Sequence, residues 1–145
     1  MGPELEKRLC EVLAAEPAIR VAYVFGSQVA GRPRADSDLD LALVFDRSLK
    51  ASTREDARRR VLLALSRALG PLGERADILD LDQAGSAIAF RVIRDGRRLL
   101  ERDLAERVRL EAWIARRHDE EAPRRELFRR SARRAGARMG ARTGG

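Results

Sequence analysis

Residues 25–45 run FGSQVAGRPRADSDLDLALVF, and the last seven constrain the fold most. Leu39, Leu41, Leu43 and Phe45 alternate with Asp40, Ala42 and Val44, the period of a β-strand, in which residues two apart share a face. The segment reads as buried core, yet Asp38 and Asp40 project together from its start. Two adjacent carboxylates repel each other and resist desolvation. A divalent hard cation bound through oxygen offsets both costs, whereas a wet edge strand is the plainer alternative.

The residues upstream bear on that choice. IRVAYVF (19–25) is rich in β-branched and aromatic residues, is stopped by Gly26, and predicts a strand. A glycine followed by Ser27 at a strand end lets backbone N–H groups approach an anion, with the serine hydroxyl as a further donor, as phosphate sites require. Ten residues separate Ser27 from Asp38, enough for the chain to return alongside the first strand. A phosphate cradle at the end of one strand then faces a carboxylate pair at the start of the next.

The remaining elements follow from periodicity and breakers. Leu5, Leu9, Val12 and Leu13 after Pro3 predict an amphipathic helix ending before Pro17. Ser52 and Glu55 form a capping box for a helix whose apolar face is Ala57, Val61, Leu65 and Ala68, ended by Gly70-Pro71. ADILDL (76–81) predicts a third strand, SAIAFRVIRDG a short helix closed by Gly96, RRLL an edge segment, and residues 103–121 a last helix with Leu104, Val108 and Ala112 inward. Cys10, Tyr23 and Trp113 read as packing residues, His118 as a surface residue, and Arg58–Arg60 as a solvated face.

Composition excludes several classes. One cysteine and one histidine leave no ligands for a disulfide framework or a Cys/His zinc site. No run is apolar enough to span a bilayer and no secretory signal is evident, so a cytoplasmic, non-membrane protein is expected. The net charge of +7 is concentrated after residue 115, where ten arginines meet four acids. The expected division is a domain over residues 1–118 and a basic tail over 119–145, too poor in large apolar side chains to pack and expected to be disordered. Nucleic-acid binding by the nearly neutral core is not expected, and weak contact through the basic tail is left open.

Phosphoryl transfer with two metal ions needs a third carboxylate, and ADILDL offers Asp77 and Asp80 on opposite faces. Strand parity alone leaves both open. The pattern Gly-Ser, ten residues, Asp-x-Asp in GSQVAGRPRADSDLDL resembles the signature of the minimal nucleotidyltransferases (MNT) of the DNA polymerase β superfamily, and VIRDGRRLLERD is similar to the ending of small MNT proteins. The resemblance covers roughly residues 20–115. It implies an α+β nucleotidyltransferase fold with a short mixed sheet flanked by helices. It also selects Asp77, so that Asp38, Asp40 and Asp77 are the implied catalytic and metal-binding residues.

By the same resemblance, Gly26, Ser27, Arg32 and Ser37 hold the nucleotide, two Mg2+ ions assist, and ATP is the substrate. Gln28, Val29 and Ala30 are neutral where many relatives carry basic residues, so charge facing a triphosphate must come from Arg32, Arg34 or elsewhere. Small stand-alone members resemble the antitoxins of HEPN/MNT pairs. That likeness implies AMP transfer from ATP to a hydroxyl, often of tyrosine, on a HEPN-type toxin bound in a hetero-oligomer. The alternatives are an antitoxin acting by occlusion alone and a nucleotidyltransferase for a small acceptor of the aminoglycoside type.

Overall fold

The computed structural model describes residues 1–31 and 36–142. Helix α1 (Pro3–Ala14) leads into β1 (Ile19–Phe25), a single 3₁₀ turn (Gly26–Gln28) and β2 (Leu39–Phe45). Helices α2 (Ala51–Leu69) and α3 (Pro71–Glu74) cross over to β3 (Ala76–Asp80), followed by α4 (Ser86–Asp95), β4 (Arg97–Glu101) and α5 (Leu104–Arg142). The four strands form one sheet in the order β3-β2-β1-β4. β1 is antiparallel to β2 and β4, while β2 and β3 are parallel, as a helical crossover demands. The fold is α+β with a mixed sheet.

Helices cover both faces, which explains the apolar residues on both sides of β1 and β2. On one face Leu9 and Leu13 of α1 and Ala57, Val61 and Leu65 of α2 pack against Ile19, Val24, Leu39, Leu41, Leu43 and Ile78. On the other, Ala89 and Val92 of α4 and Leu110 and Ile114 of α5 pack against Val21, Tyr23, Ala42 and Val44. Glu16 joins the ends of the first layer. It is nearly buried and accepts hydrogen bonds from Arg60 Nε (2.9 Å), Arg60 Nη2 (3.0 Å) and the Ala18 amide (3.2 Å). Arg60 is therefore a tether as well as part of a solvated face.

Expectations for α2 and α5 need correction. Helix α2 starts at Ala51 with Lys50 as N-cap and no side-chain cap, so the Ser52–Glu55 capping box does not form. The tight turn in which Asp46 Oδ1 accepts from the Ser48 amide (3.0 Å) and hydroxyl (2.8 Å) delivers the chain into the helix earlier. Helix α5 turns the other way from the expected orientation. Leu104 and Val108 are exposed, and the inward stripe is Arg107, Leu110, Glu111 and Ile114. Polar partners decide that rotation: Tyr23 Oη donates to Glu111 (2.7 Å), Arg107 pairs with Glu101 and Glu111, and Arg20 donates to Glu106 (3.0 Å).

The expected boundary at residues 118/119 falls inside α5, which continues through Pro123 to Arg142 as helix. Residues 126–140 are exposed along their length. Their helicity rests on local terms, the high propensity of alanine and arginine and pairs such as Glu126–Arg130 (3.3 Å), rather than on burial. His118 is half-buried, stacked on Phe90 with ring centroids 3.9 Å apart, and not a surface residue. Among the described residues no helix is long and apolar enough to cross a membrane.

Candidate active site

Because β1 is antiparallel to β2 and β2 parallel to β3, the end of β1 and the starts of β2 and β3 meet at one end of the sheet. The register pairs Phe25 with Asp40 and Asp40 with Asp77. Asp40 shares its face with Ala42 and Val44, under α4 and α5, and Asp77 is its neighbour across the parallel ladder. Asp80 lies on the other side of the same strand. It accepts from the Asp82 amide (3.1 Å) and faces Arg54 of α2 at 3.9 Å, so its work is to close the turn after β3.

The Gly-Ser turn joins this group through backbone geometry. Gly26 has φ +73°, the left-handed region that favours glycine, and its carbonyl accepts from the amides of Val29 and Ala30 (both 3.2 Å). A Cβ built on Gly26 would collide with Oδ2 of Asp40. Glycine is thus favoured by the bend, and its lack of a side chain lets the Asp40 carboxylate lie against the backbone. The turn is anchored from behind, where Gln28 is buried and its carbonyl accepts from the N-terminal amine (3.2 Å).

Asp40 carries the electrostatic signature of the group. Burial pushes its carboxyl above the ordinary aspartate value, and the neighbouring Asp77 and Asp38 push it further. Asp38 and Asp77 are exposed, Ser27 and Ser37 half-buried. Arg32 lies outside the described residues. Among the described residues no three carboxylates stand at metal-ligating spacing. The donor set nevertheless suits Mg2+: all oxygen, with one carboxylate held ionised only at a cost that a cation removes. Mg2+ is commonly held by one or two carboxylates together with substrate phosphates and rarely by an all-protein cage.

Beside the turn, on the face of Asp40, lies a cavity of about 600 Å³ lined by Phe25, Gly26, Ser27, Val29, Ala30, Arg91 and Asp95. Its size is in the range of small-molecule sites. Arg91 and Asp95 come from α4 and were not among the residues expected from sequence. They reach the site because α4 ends tightly against β1. A Cβ on Gly96 would collide with the Val92 carbonyl and come within 3.2 Å of the Val24 carbonyl. No spacing rule in the sequence connects residue 91 to residue 26; the only signal was the break at Gly96, which fixes where the helix stops.

The fold is that of a nucleotidyltransferase family. Residues 7–105 match the model of the family described as Polymerase beta, Nucleotidyltransferase, and the chain belongs to that family. Among solved structures, it is similar to a chain of a toxin-antitoxin MntA-HpeT mutant (TM-score 0.69, 19% identity, 88% of this chain and 98% of that one). A chain of a toxin-antitoxin crystallised with AMP-PNP is equally similar (TM-score 0.69, 21% identity, 88% and 98%). A third, from tri-AMPylated Shewanella oneidensis HEPN toxin in complex with MNT antitoxin, has a TM-score of 0.63 at 19% identity over 91% and 99% of the two chains. No curated protein sequence matches the chain.

Proposed function

We propose that this protein is an Mg2+-dependent nucleotidyltransferase that moves AMP from ATP to a hydroxyl, in particular a tyrosine hydroxyl, of a HEPN-type toxin and so acts as its antitoxin. The observation that carries the reading is the contact of Gly26 with Asp40. It puts a backbone turn suited to phosphate against a carboxylate pair suited to a hard cation. The chains of similar fold come from toxin-antitoxin complexes, one crystallised with AMP-PNP and one containing an AMPylated HEPN toxin, which supports the choice of nucleotide and partner.

In this reading Gly26 and Ser27, with Arg32 and Ser37, hold the triphosphate, and Asp38, Asp40 and Asp77 hold the metal ions. Bound there, Mg2+ neutralises phosphate charge and lowers the acceptor's pKa. The chain supplies position and fixed dipoles. The acceptor oxygen bonds to the α-phosphorus, the bond from that phosphorus to the bridging oxygen breaks, and pyrophosphate leaves with its electron pair. Asp77, the most exposed side chain of the β3 start, takes the acceptor proton. Residues 1–118 form the catalytic unit and 119–145 a basic extension of it, and the protein works in the cytoplasm.

The test is label transfer from α-labelled ATP to a co-expressed HEPN-type partner. Wild type is expected to label the partner, and the Asp38→Asn, Asp40→Asn double variant is expected not to. Equal labelling by both would refute the assignment of the acids. Neutralisation of the toxin by an unlabelled complex would instead establish occlusion.

A further inference from the structure

We propose that Arg91 is a triphosphate-binding residue, contributing from α4 the positive charge that the turn after Ser27 lacks. The inference rests on the nucleotide site proposed above and adds to it a residue from outside the Gly-Ser and Asp-x-Asp segments. Gln28, Val29 and Ala30 bring no charge to the cavity, its lining acid is Asp95, and Asp40 lies against Gly26 at its edge. Among the described residues lining the cavity, Arg91 is the one cation.

Its neighbours leave it available. Asp95, one helical turn further on, is the obvious partner for Arg91. Its two oxygens accept hydrogen bonds from Arg94, through Nε to Oδ1 at 2.9 Å and Nη2 to Oδ2 at 2.7 Å, and Arg91 acts on it only through a weaker charge interaction. That bidentate pair neutralises the carboxylate that would otherwise repel a polyphosphate. Arg91 is exposed at the cavity wall, and its fork geometry matches phosphate oxygens. Glycine at position 96 allows the last turn of α4 to close on β1, which puts Arg91 in the lining of the same cavity as Ser27.

The chemistry predicts a dependence on phosphate number. A guanidinium that grips the β- and γ-phosphates contributes to binding ATP and little to binding AMP. Titrating MgATP and AMP into wild type, Arg91→Gln and Arg91→Lys by calorimetry is the test. Arg91→Gln is expected to weaken MgATP about 10- to 100-fold and AMP less than about threefold, with Arg91→Lys between. Thermal melts of the three proteins check that the fold is intact, as expected for an exposed side chain. If wild type binds MgATP and Arg91→Gln binds it equally well, the Arg91 assignment is overturned while the nucleotide site stands. If wild type binds no MgATP, the nucleotide site itself fails. Equal losses for ATP and AMP would show a general distortion of the cavity and also overturn the assignment.

Discussion

The two faces of the sheet are built on different principles. The face under α1 and α2 is continuous hydrocarbon, with Leu9, Leu13, Leu39, Leu41, Leu43 and Leu65 all fully buried, and its polar elements are tethers at the rim such as Glu16–Arg60. The face under α4 and α5 is apolar only at its centre. Toward one end it holds Asp40 and Asp77 beside a cavity, and under α5 it holds Tyr23 bonded to Glu111. Burial there raises the pKa of both Asp40 and the Tyr23 hydroxyl, because ionised forms lose hydration without full compensation. Hydrocarbon burial dominates one face, and the other carries the polar groups beside which the chemistry is proposed to occur.

Mutations can break or sharpen this contrast. Leu65→Ala, in the closed layer, is expected to cost about 2–5 kcal/mol of stability, read by denaturant melts, while the surviving folded protein keeps its nucleotide affinity. Asp40→Asn, on the other face, is expected to lower α-label transfer by about 10²–10³-fold. Gly26→Ala should damage both properties. The left-handed φ costs about 1–2 kcal/mol, and the new methyl displaces the Asp40 carboxylate, so transfer falls with stability.

Smaller effects depend on pH, with opposite signs for Glu16 and Asp40. Arg60 lowers the pKa of Glu16, followed by the Ala18 amide. A depressed carboxyl stabilises the fold above its unfolded pKa and loses that contribution as pH falls through the folded value. Glu16→Gln is therefore expected to cost about 1–2 kcal/mol near neutrality, discounted for the exposed Arg60, and progressively less in acid. Asp40 behaves inversely, since its raised pKa means that ionisation costs stability at neutral pH and the cost vanishes as pH falls. Asp40→Asn should melt higher than wild type by up to about 2–4 °C at neutral pH, converging in acid, and Mg2+ should raise the wild-type melting point alone.

Much of this was legible in the sequence because local signals were decisive. Period-two alternation with Gly26 and Gly96 as stops located β1, β2 and the end of α4. The Gly-Ser and Asp-x-Asp spacing then placed the turn and the acids at one end of the sheet. Asp77 and Asp80 lie on opposite sides of β3, Asp77 beside Asp40 and Asp80 facing Arg54, a difference in surroundings that parity alone does not reveal. The orientation of α5 was not legible. Its sequence offers two apolar sets, and the choice fell to Arg107 and Glu111, whose partners Glu101 and Tyr23 lie on distant strands. Arg91 was hidden for the same reason, since only the return of β4 to the edge beside β1 brings α4 to the Gly-Ser turn. The extent of α5 was missed because a lack of core-forming side chains does not prevent a helix rich in arginine and alanine.

The most direct measurement gives the protein and a HEPN-type partner ATP labelled at either the α- or the γ-phosphate in the presence of Mg2+. Nucleotidyl transfer at the Gly26–Asp40 junction predicts that the partner acquires the α-label and none of the γ-label, and that Asp40→Asn abolishes the transfer. Incorporation of γ-label, or undiminished α-labelling by Asp40→Asn, would contradict it.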